Sequence, residues 1–147
     1  MKKFVTAGIA ALLALGGIAG AAQAAESAQH KAVYHLNSDD AKHHKAFLNN
    51  VQNHINAVGK DKLDLRVVMH GPGITLMQNA KSDEDVRSKI DNLKLQGVSF
   101  NVCANTLKGK KVNYKTDMHD VSEKDIVPSG VAEIAILQSK GYAYVKP

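Results

Sequence analysis

The stretch Leu63-Asp-Leu-Arg-Val-Val-Met69, followed at once by His70-Gly-Pro-Gly73, decides the fold of this chain. Its first seven residues are mostly apolar and have the length of a strand. A strand does not continue through two glycines and a proline, so the chain must turn after Met69. The stretch therefore predicts a buried strand that ends abruptly in a tight turn.

Amphipathic helices are predicted on both sides of this strand. The preceding helix has five apolar residues at helical spacing, and Gly59 ends it. Those five residues are Phe47, Leu48, Val51, Ile55 and Val58. In the following helix, the residues from Ser82 to Asp85 have the form of a capping box, and Gly97 closes the helix. Its buried stripe consists of Val86, Ile90 and Leu93.

Four more predicted strands complete a pattern in which strands and helices alternate along the chain. Lys31 to Leu36 reads as a compact strand, and Val98 to Val102 alternates apolar with polar residues. Ile126-Val127 and Tyr142 to Val145 are shorter strands, and the helix between them carries Val131, Ile134, Ala135 and Leu137. Alternating strands and helices favour a mainly parallel sheet with helices on both faces. We therefore predict an α/β fold: a flavodoxin-like, three-layer α/β/α sandwich with about five strands.

The N-terminus has the pattern of a secretory signal peptide. Lys2 and Lys3 precede an uncharged, apolar stretch, and Ala22-Gln-Ala24 matches the small-residue pattern of a cleavage site. We predict a signal peptide over residues 1–24, one domain over residues 25–147, and a periplasmic location without a membrane segment after cleavage. The alternative is a retained membrane anchor, because the apolar stretch is long enough to be one.

Composition excludes several function classes. The 147 residues carry a formal net charge of +5, of which Lys2 and Lys3 supply two, and aromatic residues make up 5% with no tryptophan. Nucleic-acid binding needs clustered basic residues and aromatic stacking platforms, so we expect none. The sequence also has no Gly-x-Ser-x-Gly elbow, dinucleotide fingerprint or paired acidic motif, and therefore gives no support to hydrolase or dehydrogenase chemistry.

Polar residues collect where three predicted strands end. Asn37 follows the first strand, His70 the second, and Cys103 to Asn105 the third. Ligands and reactive groups gather beyond the carboxyl ends of the strands in an open parallel sheet. The topology therefore makes this edge the candidate site, and we expect no cofactor there.

Cys103 is the only cysteine of the chain, so no internal disulfide can form. Such a residue is either a small buried hydrophobe or a thiol kept for chemistry. If a helix begins at Ala104 or Asn105, its free N–H groups favour a thiolate at Cys103. A thiolate attacks disulfides, accepts sulfane sulfur or binds a soft metal. Both interpretations of the cysteine remain open at this point.

A metal site is the rival interpretation of the same residues. Cys103 with His70 or His119, together with Met118, is a thiolate, imidazole and thioether set suited to copper. These residues lie in different predicted loops, and no zinc-finger or zincin spacing occurs. We therefore assign no metal ligand.

Four blocks of the sequence resemble the DsrE/DsrF-like family, which is linked to intracellular sulfur oxidation and sulfur relay. They are residues 68–74, 97–106, 127–134 and 141–147, and together they span nearly the whole predicted domain. The resemblance implies a doubly wound α/β domain that commonly assembles into trimers or hexamers. In the sulfur-relay members a cysteine after a core strand carries sulfur as a persulfide, and Cys103 occupies the matching position. The relay members work in the cytoplasm, whereas this chain has a predicted signal peptide.

Residues and resemblance together lead to one functional hypothesis. We expect a periplasmic sulfur-handling protein that uses Cys103 as nucleophile and persulfide carrier, and that acts as a carrier more than as a turnover enzyme. His70, Asn105 and Asn37 are the expected supporting or ligand-binding residues. The expected partners are copies of the same chain and a sulfur donor or acceptor that the sequence does not identify. The alternatives are the metal-binding or small-ligand module and an oligomeric interaction protein with an inert cysteine.

Overall fold

The computed structural model of the protein describes residues 29–147. The predicted signal peptide and its cleavage site lie outside the described residues. Between residues 29 and 147, no helix has the length and apolar character needed to cross a bilayer.

Strands and helices alternate along the described chain as predicted. The strands are β1 (His30–Leu36), β2 (Leu63–Met69), β3 (Ser99–Cys103), β4 (Ile126–Val127) and β5 (Ala143–Val145). The helices are α1 (Ala41–Val58), α2 (Thr75–Asn79), α3 (Glu84–Leu95), α4 (Ala104–Lys110), α5 (Tyr114–Asp117) and α6 (Gly130–Ser139). Short 3₁₀ turns cover Lys60–Lys62, Gly71–Ile74 and Glu123–Asp125.

All five strands form one parallel sheet in the order β4-β3-β2-β1-β5. The chain steps in one direction from β1 to β4 and then returns to place β5 on the other side of β1. Crossovers between parallel strands are right-handed, so connections that step in one direction place their helices on one face. The single return connection therefore places α6 on the opposite face. The predicted three-layer α/β fold is confirmed, with five helices on one face and one on the other.

The two faces of the sheet bury very different amounts of apolar surface. The larger core joins one face of the sheet to α1 and α3, and residues such as Phe47, Leu93 and Phe100 are almost fully buried in it. The smaller core lies under α6 and consists of Val33, Val68, Ile134, Leu137 and Tyr142. Val131 and Ile136 lie on the outer side of α6 and are 65% and 45% exposed. One helix therefore covers the second face only in part.

The N-terminal cap of α3 differs from the prediction. The capping residue is Asp83, whose carboxylate accepts a hydrogen bond from the Val86 N–H at 3.1 Å. The Ser82 hydroxyl instead donates to the Asn79 carbonyl at the end of α2. The predicted capping box is therefore wrong by one residue, because the preceding turn determines which of these adjacent polar residues faces the helix.

Candidate functional site

The carboxyl ends of β2 and β3 place His70 and Cys103 side by side. Met69 pairs with Val102 in the sheet, so the residue after each of them extends from the same edge. Gly130, the first residue of α6, lies between the two side chains. A Cβ atom added to Gly130 would lie 2.9 Å from the Cβ of His70 and 3.3 Å from the Cβ of Cys103. Two strand ends and the start of α6 therefore meet at one point.

The glycine-rich turn after β2 is packed against the end of β1. The His70 N–H donates to the Leu36 carbonyl at 3.3 Å. A Cβ atom added to Gly73 would lie 2.1 Å from the same carbonyl oxygen, which is closer than non-bonded atoms approach. Gly71 has φ of +54°, in the left-handed region that glycine enters at no steric cost. These contacts determine where the backbone holds His70.

The polar groups near Cys103 favour the ionised form of its thiol. The residue is 4% exposed and stands at the N-cap of α4, so the helix begins where the sequence predicted. Burial raises the pKa of the thiol, but the Thr106 hydroxyl and the backbone N–H groups of Gly130, Thr106 and Asn105 lower it, and the net shift of the pKa is downward. Stabilisation of the charged form by donors outweighs desolvation here. The arrangement therefore favours the ionised form of this thiol relative to an ordinary cysteine.

Thr106 connects this thiol to the turn that carries His70. Its hydroxyl oxygen accepts the N–H of Gly71 at 2.9 Å. Because the oxygen is held as an acceptor by the turn, its own proton is free to point at the sulfur. The same side chain therefore fixes the turn and helps to lower the pKa of Cys103.

A chain of hydrogen bonds leads away from His70 on the same face of the sheet. The Nε2 atoms of His70 and His35 are 2.6 Å apart, and their ring planes are inclined by 24° with centroids 4.6 Å apart. The Nδ1 atom of His35 is 2.7 Å from the Tyr144 hydroxyl oxygen. His35, near the end of β1, and Tyr144, on β5, therefore extend the site across two more strands.

Both imidazoles are neutral near pH 7. Burial is the main cause that lowers the pKa of His35 to about 4, and the charges of His70 and Lys146 lower it further. Burial, followed by the charge of Lys146, also lowers the pKa of His70. The 2.6 Å contact is therefore a hydrogen bond between neutral rings, in which one nitrogen donates and the other accepts.

The predicted supporting residues differ in how they are placed relative to Cys103. His70 lies beside Cys103, as described above. Asn105 contributes its backbone N–H to the thiol, while its side chain is exposed. Asn37 lies at the end of β1, where its Cα packs against Gly73.

Three residues of the site were missed by the sequence analysis: His35, Thr106 and Tyr144. A signal for His35 exists, because it is a polar residue at an inward position near the carboxyl end of an otherwise apolar strand. Thr106 lies in the second family block, but no local pattern distinguishes it there. Tyr144 has no local signal, since only the pairing of β5 with β1 brings it to the site.

The geometry gives no support to the copper-binding alternative. His119 Nε2 is 2.7 Å from an oxygen of Asp91 on α3, and the His119 backbone N–H donates to Met77. Its side chain is thus engaged on the face of the sheet opposite α6. Within residues 29–147, no three His, Cys, Asp or Glu side chains are grouped so that they could hold a metal ion.

Comparisons with known proteins agree with the fold and the resemblance. The model of the DsrE/DsrF-like family matches residues 20–147. A solved structure described as a protein of unknown function, MTH1491 from Methanobacterium thermoautotrophicum, is 27% identical with a TM-score of 0.70, covering 80% of this chain and 99% of that chain. The ychN protein from E. coli shares the fold at 16% identity and a TM-score of 0.58, with the same coverage. A search among curated proteins found no match.

Proposed function

Because this chain belongs to the DsrE/DsrF-like family, we propose that it is a sulfur-handling protein in which Cys103 carries sulfane sulfur as a persulfide. The observation that carries the proposal is the set of donors around the Cys103 thiol, which lowers its pKa despite burial. A thiolate is the form of cysteine that acts as a nucleophile toward sulfur. The association of the family with sulfur relay supports the same chemistry.

The proposed uptake step transfers one sulfur atom without net oxidation. The Cys103 thiolate attacks the terminal sulfur of a persulfide donor, and a new S–S bond forms at Sγ as the S–S bond of the donor breaks. The electron pair of the broken bond leaves with the donor thiolate, which then takes a proton. Attack by an acceptor thiolate on the outer sulfur reverses the step and discharges the carrier. The transferred sulfur is already at the sulfane oxidation level in the persulfide donor and keeps that level on Cys103, so no separate oxidant is needed.

The first prediction tests this step by intact-mass measurement. Reduced protein incubated with glutathione persulfide is expected to gain the mass of one sulfur atom, and dithiothreitol is expected to remove it. The matched variant Cys103→Ser, which keeps a small polar side chain, is expected to gain none. Absence of added sulfur on the wild type, or equal labelling of the two proteins, would contradict the proposal.

We also propose that the protein works in the periplasm, on the basis of its N-terminal sequence. Lys2, Lys3 and the Ala22-Gln-Ala24 pattern support export and cleavage before Ala25. The intact mass of the protein from a periplasmic extract tests this directly. A chain that retains residues 1–24 in the membrane fraction would favour the anchor instead.

The outer side of α6 supports self-association. Val131, Ala132, Ala135 and Ile136 are exposed and, by helical spacing, lie on one side of α6. A helix that is apolar all round is normally buried. Beside β3 there is also an open groove of about 780 Å³ that Asn101 helps to line, and the buried Oδ1 of Asn101 has no hydrogen-bond partner. We propose that copies of the chain associate through the α6 face, in the trimers or hexamers that the family resemblance implies.

The second prediction tests this interface. Replacing both Val131 and Ile136 with glutamate is expected to convert an oligomer into a monomer, because charges would then be buried at the contact. Light scattering after size-exclusion chromatography measures the mass in solution. Gln138→Glu, an exposed polar position on the same helix, is the matched control and is expected to leave the oligomer intact. A monomeric wild type would refute the proposed interface.

A further inference from the structure

We propose that Tyr144 and His35 relay a proton to His70, which delivers it to the thiolate that leaves when Cys103 takes up sulfur. The inference rests on the proposed function, since it assigns a role to groups beside the same cysteine. Its basis is the unbroken series of contacts from Tyr144 through His35 to His70, at 2.7 Å and 2.6 Å. The backbone around Gly130 places the last member of that series beside Cys103.

The contacts allow one continuous direction of donation, from Tyr144 through His35 to His70. If the Tyr144 hydroxyl donates to Nδ1 of His35, the neutral His35 ring carries its proton on Nε2. That proton is donated to Nε2 of His70, so the neutral His70 ring carries its own proton on Nδ1. The tautomers of both rings are therefore set by a hydroxyl on the far side of β1.

In this relay each imidazole ring loses one proton and gains another, so neither ring is left with a charge. His70 gives the proton on Nδ1 to the departing thiolate and receives one on Nε2 from His35. His35 in turn receives the proton of the Tyr144 hydroxyl on Nδ1. The phenolate left on Tyr144 takes a proton from water, which reaches it because the residue is 43% exposed. Phenols and small thiols are acids of similar strength, so the net transfer involves no large uphill step.

The charges near the series are consistent with this direction. Lys146 follows β5 and acts on both His35 and His70, disfavouring a second positive charge there. A stored imidazolium is therefore disfavoured near pH 7, and a relay through neutral rings supplies the proton without one.

Tyr144→Phe tests the relay, because it removes one oxygen at the exposed end. The variant is expected to take up sulfur from glutathione persulfide about tenfold more slowly, below the usual contribution of a direct general acid. Its alkylation by iodoacetamide is expected to stay within about twofold of the wild type, since iodide leaves without a proton. The solvent deuterium isotope effect on sulfur uptake is expected to fall in the variant. His35→Asn, which breaks the series in the middle, is expected to behave in the same way.

Tyr34→Phe is the matched control on the opposite face of the sheet. The Tyr34 hydroxyl contacts Nδ1 of His54 at 3.1 Å, so this variant removes an equivalent tyrosine–histidine hydrogen bond away from the site. It is expected to change neither rate. Equal slowing of sulfur uptake and alkylation in Tyr144→Phe, or no slowing of either, would overturn the relay. Failure of the wild type to take up sulfur would refute the proposed function as well, so the two failures are distinguishable.

Discussion

Replacing Gly73 with alanine is expected to lower the free energy of unfolding by about 3 kcal/mol, at the upper end of the range for overpacking. The added Cβ atom would stand 2.1 Å from the Leu36 carbonyl oxygen and 2.9 Å from the Cα of Asn37. Both contacts are with backbone at the end of β1, which cannot rotate away as a flexible side chain would. Relief therefore requires the turn to move off β1, with loss of the His70 N–H bond to Leu36.

Gly109→Ala is the matched control for this substitution. Gly109 lies within α4, and a Cβ atom added there meets no atom within 4 Å. Alanine is a better helix former than glycine, so this variant is expected to be more stable by about 0.5–1 kcal/mol. Urea unfolding followed by circular dichroism measures both changes. If Gly73→Ala were as stable as the wild type, the close packing of the turn against β1 would be wrong.

The turn after β2 is an example of a feature that the local sequence alone predicts. His70-Gly-Pro-Gly73 predicts a turn wherever it stands, because glycine and proline restrict the backbone locally. The apolar spacing of α1, its end at Gly59 and the two-residue strand β4 are local signals of the same kind, and the structure has each of them where it was predicted. The order of the strands is not local. It follows from pairings between distant segments and from the handedness of their crossovers.

The residues of the candidate site also fall into two groups: those that local signals in the sequence predict, and those that only pairing between distant strands brings to the site. Cys103 was found because it follows an alternating strand and stands at a helix start, and both features lie within ten residues of it. His35 and Tyr144 are 109 residues apart, and they meet only because β5 pairs with β1. No spacing in the sequence reveals such a contact. Asn105 is predicted as a supporting residue, and the group by which it favours the thiolate is its backbone N–H at the helix start.

Removing the hydroxyl of Thr106 is expected to slow alkylation of Cys103 at neutral pH by about ten- to a hundredfold. The Thr106 hydroxyl is the donor that does most to lower the pKa of this thiol against the effect of burial. A hydrogen bond to a charged group contributes about 1.5–3 kcal/mol, and each 1.4 kcal/mol corresponds to a factor of about ten. Thr106→Val has nearly the same shape but cannot donate, so the thiolate loses that stabilisation.

The direction of the expected change in the pKa of Cys103 follows from which protonation state of the thiol the Thr106 hydroxyl stabilises. Donation to the sulfur favours the thiolate and lowers the pKa of Cys103, so its loss must raise that pKa. At a pH below the raised pKa, the thiolate is a smaller fraction of the protein and alkylation is slower. The absorbance of the thiolate during a pH titration measures the pKa itself, and iodoacetamide alkylation at several pH values gives the rate.

Thr106→Ser separates the hydroxyl from the rest of the side chain. Serine keeps the donor to the sulfur and the acceptor for the Gly71 N–H, and it loses only a methyl group. It is expected to retain the pKa of the wild type and alkylation within about threefold, since a lost methyl removes no charge-stabilising group. If Thr106→Val titrated like the wild type, the donors at Cys103 would not set its ionisation. The thiol would then be the inert, buried hydrophobe that its low exposure alone suggests.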